Sequence, residues 1–142
     1  MGFTLIELLT VLVVLGGLAS LAVARTKYTI DQAKTARATG DIRAVSNDIL
    51  SYAASGGALP ASLNDVDRGA LMDPWGRPYV YVDLSSGGAP RTDVFGVPLN
   101  ADFDVYSLGP DGATATSVTA GVSQDDVVRG NDGGFIGRAS RY

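Results

Sequence analysis

The chain has 142 residues, no cysteine, no histidine and a net charge of −4, which is enough chain for one ordinary domain and too little for two. Without thiol or imidazole it can build no Cys/His zinc site, no thiol nucleophile, no Ser-His-Asp triad and no disulfide. Its Lys and Arg are scattered singly, so the clustered positive charge that displaces counterions from nucleic-acid phosphates is missing as well.

From Phe3 to Ala24 run 22 residues with Glu7 as the sole charge. As a helix rising 1.5 Å per residue they reach about 30 Å, the thickness of the hydrocarbon layer, so the stretch is read as a membrane span. A cleaved secretory signal would place basic residues ahead of a shorter apolar run, and no basic residue precedes Phe3. Glu7 is the only glutamate of the chain, and a carboxylate inside hydrocarbon costs a few kcal/mol on insertion scales, so it requires a compensating partner. Gly16-Gly17, at roughly 1 kcal/mol each relative to alanine in a helix, marks a place where the span can stretch locally. Arg25 and Lys27 follow the span; by the positive-inside tendency alone they would hold that flank in the cytoplasm.

The helical pattern continues beyond the span. Ile30, Ala38, Ile42, Val45, Ile49 and Tyr52 recur at helical spacing, with Asp31, Lys34, Arg37, Asp41, Arg43 and Asp48 largely on other faces. This predicts an amphipathic helix to about residue 54, stopped by Gly56-Gly57. "DPWGRPYVYVDL" then combines a turn at Asp73 to Gly76 with a strand at Tyr79 to Leu84, and "DFDVYSL" predicts a second strand at Asp102 to Leu108. "VFGVP" (Val94 to Pro98) is a weaker pairing segment, and "SSGGAP" is a loop. The fold class expected is α+β: a long N-terminal helix whose outer half packs on a small antiparallel sheet, followed by a loop-rich C-terminus. Trp75 is expected to pack against the helix, and no internal repeat is expected.

Two carboxylate groups stand out in the C-terminal region. Asp111 lies in "LGPDG" and Asp125-Asp126 in "SQDD"; if folding joins them, three carboxylates require a cation, and oxygen ligands of this kind are what calcium takes. Taken alone, the alternative is a plain β-turn at Gly-Pro-Asp-Gly and a solvated acidic pair. The intervening "GATATSVTAGVSQ" is rich in small and polar residues and is expected to need a metal to become ordered. Paired carboxylates could also serve acid/base chemistry, but no positioned nucleophile or phosphate-cradling loop accompanies them, and a membrane-anchored enzyme or a calcium-sensing tether leaves Glu7 unexplained.

"Gly2-Phe3-Thr4-Leu5-Ile6-Glu7" resembles the class III signal of type IV pilins and type II secretion pseudopilins. Together with "DPWGRPYVY", "FDVYSLGPDG" and "SQDDV" it resembles, over most of the chain, the major G-type pseudopilins within the type IV pilin superfamily. The resemblance implies that residues 1–2 are a leader remnant removed by prepilin peptidase between Gly2 and Phe3, with Phe3 then N-methylated. It implies a transmembrane and filament-core helix at 3–24 and a periplasmic globular domain at 25–142, with sheet and loops at 73–142. It also implies calcium on Asp111, Asp125 and Asp126, with the Leu108 carbonyl and Ser123 as further ligands. Glu7 would pair with the Phe3 amine of a neighbouring subunit. The implied function is structural, not enzymatic: a homopolymer in the inner membrane and periplasm that works with minor pseudopilins, the assembly platform and its ATPase to export folded proteins across the outer membrane. The first motif equally fits the major subunit of a type IV or competence pilus, used for adhesion, twitching or DNA uptake; the absence of a C-terminal cysteine pair and the presence of "DPWG" and "SLGPDG" favour the pseudopilin.

Overall fold

A computed structural model of the chain describes residues 2–142; the side chains of residues 21–25 lie outside that description. Met1 of the expected leader, and the side chains at the end of the expected span including Ala24, therefore fall outside the described residues. The chain forms two compact units, Met1–Ala33 and Lys34–Tyr142, and a helix α1 is assigned over Leu5–Gly56.

In the first unit, Thr4 caps α1. Its backbone N–H and its hydroxyl both donate to Glu7 Oε2, each at 2.9 Å, while the Glu7 N–H donates to Thr4 Oγ1 at 3.4 Å. Thr-Leu-Ile-Glu is thus a capping box, which satisfies otherwise unpaired donors of the first turn and sets a carboxylate at the positive end of the helix dipole. Within the apolar run the remaining hydroxyls also return to the helix: Thr10 Oγ1 donates to the Ile6 carbonyl at 2.8 Å and Ser20 Oγ to the Gly17 carbonyl at 2.8 Å. The helix continues through Gly16 and Gly17, where an added Cβ would meet nothing within 4 Å. Among the described residues no helix is long and apolar enough to cross a membrane; the apolar stretch whose side chains are described ends at Ser20.

In the second unit four residues of the predicted stripe are core, whereas two others, Ile30 in the first unit and Tyr52 in the second, are exposed. Ala38, Ile42, Val45 and Ile49 are fully buried, and with Tyr79, Phe103, Val105 and Val127 they make the main cluster. α1 ends as glycine dictates: Gly57 sits at φ +75° and its N–H donates to the Ala53 carbonyl at 2.7 Å, the left-handed stop that costs a side-chain-free residue least. Trp75 packs half-buried against the main cluster, as expected. The Tyr79 hydroxyl reaches back to donate to Asp41 Oδ2 at 2.9 Å. Burial, and then the adjacent carboxylate, push this phenol far above its ordinary range.

The sheet is a four-stranded antiparallel meander in the order β1 (Val80–Asp83), β2 (Phe103–Ser107), β3 (Val127–Gly130), β4 (Phe135–Arg138). The first two strands were expected; the last two were not. Along β2, Phe103 and Val105 join the helix-side cluster, whereas Tyr106 packs against a satellite cluster of Leu99, Val118, Val128 and Ala139. Strand side chains alternate between faces, so the central strands are covered by α1 on one face and by loop residues on the other. Arg129 in β3 is 2% exposed; it forms a two-pronged pair with Asp102 (2.7 and 2.9 Å), donates to the Phe103 carbonyl at 2.9 Å and lies 4.0 Å over the Phe103 ring. Between β3 and β4, Asn131, Asp132 and Gly133 all have positive φ, the backbone that "NDGG" favours in a tight reversal.

"VFGVP" does not form a strand. It is a turn closed by a single bridge between Thr92 and Pro98, and it duplicates the turn of "DPWGRP", closed between Met72 and Pro78. In the first, Asp73 Oδ1 accepts from the N–H groups of Trp75 (3.0 Å) and Arg77 (2.9 Å), the Asp73 N–H donates to the Arg77 carbonyl at 2.7 Å, and Gly76 takes φ +85°. In the second, Asp93 Oδ1 accepts from Phe95 and Val97 (2.8 Å each), the Asp93 N–H donates to the Val97 carbonyl at 2.9 Å, and Gly96 takes φ +77°. The expectation of no internal repeat is corrected by a six-residue motif: Asp-x-aromatic-Gly-x-Pro, recurring 20 positions on, specifies the same side-chain-capped turn both times.

Candidate functional site

The N-terminal unit carries Gly2, Phe3 and Glu7. Eleven large apolar side chains from Phe3 to Leu18 are each more than half exposed, Phe3 at 86%. Full burial of each is worth roughly 1.5–3 kcal/mol, so this surface is built to be covered. Thr4 is the residue that the sequence reading passed over here, although T-x-x-E before an apolar run is a recognisable cap signature. Glu7 thus has a partner within its own first turn.

The C-terminal acidic loop is divided. Asp111 and Asp125 meet: the Asp111 N–H donates to Asp125 Oδ2 at 3.3 Å, and Asp111 Oδ1 accepts from the Ala113 N–H at 2.8 Å. Gly109, at φ +63°, makes that approach possible, because a Cβ there would lie 2.6 Å from the Asp125 carbonyl oxygen. The Leu108 carbonyl accepts from the Gly112 N–H at 3.2 Å. Ser123 is buried and its hydroxyl is engaged with Ala115, accepting from the N–H at 2.8 Å and donating to the carbonyl at 3.2 Å.

Asp126 stands apart, fully buried. Its Oδ2 lies 2.8 Å from Arg91 Nη2 and accepts from Thr114 Oγ1 at 2.6 Å, whereas its Oδ1 is buried with no hydrogen-bond partner. Burial pushes the Asp126 carboxyl above the usual carboxylate range, against the lowering effect of Thr114 and Arg91. Among the described residues no three carboxylates are gathered as a metal-holding group. Asp111, Asp125 and Asp126 carry oxygen of the type that calcium takes, and the contact that joins the first two is a backbone N–H on a carboxylate. Arg91, 35 positions from Asp126, was not foreseen, and no local pattern announces it.

The first unit presents an exposed apolar helix and the second a four-stranded antiparallel meander packed on a helix, elements compatible with a pilin-like protein. The chain is 35% identical to type II secretion system core protein G of Pseudomonas aeruginosa, with 78% of this chain and 84% of the relative covered. It is 29% identical to the protein of that name from Aeromonas hydrophila (71% and 84% covered) and 27% identical to that of Escherichia coli K12 (81% and 85% covered). The chain belongs to the family of type II secretion system core protein G, the major pseudopilins. No protein-family model matches it, and no solved structure does.

Proposed function

We propose that this chain is the subunit that polymerises into the helical pseudopilus of a type II secretion system, the filament that supports export of folded proteins across the outer membrane. The observation that carries the reading is the run of eleven exposed apolar side chains from Phe3 to Leu18 in a chain whose family is the core G proteins. Lipid covers that surface before assembly and neighbouring copies cover it afterwards. A head-to-tail contact of this kind does not close on itself and so makes a fibre. The role is structural and not catalytic.

In this reading residues 3–24 cross the inner membrane once and the remainder lies in the periplasm. Prepilin peptidase cuts between Gly2 and Phe3, and Phe3 is N-methylated. Minor pseudopilins, the inner-membrane assembly platform and its ATPase are the partners. Glu7 pairs with the Phe3 amine of the adjacent copy, and the capping bonds from Thr4 hold its carboxylate in place for that contact. Two substitutions separate cap from charge. Glu7→Gln keeps a side chain that serves a capping box and removes the charge; Glu7→Val removes both. Loss of filaments in both variants, seen by electron microscopy of sheared preparations, is the expected result, and normal filaments from Glu7→Gln would show that only the cap matters.

Calcium is proposed to bind at Asp111 and Asp125, with the Leu108 carbonyl as a further donor, while Asp126 stays with Arg91. Bound there it would supply charge neutralisation and order, not chemistry. Calorimetric titration of the full chain in detergent should give binding heat that Asp111→Asn removes; no heat from the unaltered chain would exclude the site.

A further inference from the structure

The loop between residues 109 and 126 contains a positive charge that the chain itself supplies. Arg91 is 4% exposed, its guanidinium lies 4.4 Å over the Tyr106 ring, and its backbone N–H donates to buried Asp104 Oδ2 at 2.7 Å. Held in this way, the guanidinium faces Asp126, whose second partner at the same oxygen is Thr114 in the long loop. The neighbouring residue extends the clamp through the backbone: the Thr92 N–H donates to the Thr116 carbonyl and the Val118 N–H to the Thr92 carbonyl, both at 2.9 Å. Val118 is then buried in the satellite cluster. At the other end of the loop, Arg77 donates to the Gly109 carbonyl at 2.6 Å and to the Pro110 carbonyl at 3.3 Å. A segment read as too polar to order itself therefore has a buried apolar anchor, two backbone bridges and a fixed cation.

We propose that Arg91 is the resident cation of this loop: by neutralising Asp126 and tying the 84–102 connection to residues 114–118, it keeps residues 109–126 folded without bound metal and leaves calcium an adjusting role. This rests on the reading of the loop as a calcium site. A buried charge that loses its partner is strongly destabilising, whereas removing both charges together is far less so, and that asymmetry supplies the test.

The full chain in detergent is digested with a protease of broad specificity, in EDTA and in about 1 mM calcium, a level at which extracellular sites of this type are filled. The unaltered loop is expected to be cut at rates that agree within about twofold in the two conditions, because cleavage tracks the population of the open form. Arg91→Gln should be cut roughly tenfold faster in EDTA, with Arg91→Gln/Asp126→Asn slow again. Calcium should restore protection to the single variant. If calcium fails to do so while the unaltered loop resists EDTA, the calcium site is wrong and the resident cation stands. Acceleration of the unaltered chain in EDTA to the rate of Arg91→Gln would overturn the proposal. So would resistance of Arg91→Gln to EDTA, or a double variant as unfolded as the single one.

Discussion

The turns at 72–78 and 92–98 share a backbone and differ in what becomes of their aromatic residue. Trp75 packs against the main cluster, while Phe95, at the matching position, is 86% exposed. The Asp side chain, the positive-φ glycine and the closing proline therefore build the turn, and the aromatic does not. What surrounds each Asp differs as well. Asp73 is 3% exposed and its Oδ2 accepts from the buried Ser107 hydroxyl in β2, whereas the hydrogen bonds of the Asp93 carboxylate stay within its own turn. One motif thus acts once as a bracket between the helix and the sheet, and once as a reversal tied through Thr92 to the loop at 116–118.

Breaking the caps should expose this difference most. Asp73→Ala strands three donors, at roughly 1–3 kcal/mol for each one left buried, and is expected to lower stability by about 4 kcal/mol. Asp93→Ala should lose about 1 kcal/mol, since water replaces its bonds; chemical denaturation of the full chain in detergent measures both, and equal losses would mean that the brackets are equivalent. The aromatics come next: Trp75→Ala should cost about 3 kcal/mol and Phe95→Ala less than about 0.5 kcal/mol. The glycines should erase the contrast. An added Cβ meets nothing within 4 Å at Gly76 or at Gly96, so alanine at either costs only the left-handed backbone, about 1 kcal/mol and the same at both. A larger loss at Gly76 would show that the first turn is strained by its packing. Arg129 offers a test outside the turns. Burial pushes the Asp102 carboxyl up, but the Arg129 hydrogen bonds and charge together hold it below the usual range. A depressed folded value stabilises above the unfolded pKa and is lost as pH falls through the folded one. Asp102→Asn should therefore flatten the fall in stability below about pH 4.

Local features were legible and distant ones were not. Helix α1, its glycine stop, β1 and β2 follow from period and turn chemistry carried by neighbouring residues. The strands β3 and β4 were missed because buried Arg129 breaks the apolar pattern that announces a covered strand in the first, and Gly137 interrupts the second. The burial of Arg129 is permitted by Asp102, 27 positions away, a partner that no window reveals. The same holds for the acidic loop: Asp111 and Asp125 could be paired by eye, but Arg91 claims Asp126 through tertiary contact alone. Thr4 is the opposite case, a local signal overlooked because Glu7 was read only for the charge it brings into hydrocarbon.

The meander has two open edges, β1 and β4, and both are four residues long. β1 ends in Asp83, and β4 carries Gly137 and Arg138. Exposed strand edges invite other chains to add on, and short, charged, glycine-interrupted edges discourage it. A strand edge that another chain could extend would offer an irreversible way to associate. The brevity of these two edges leaves the strands a poor second route by which copies of this chain could join.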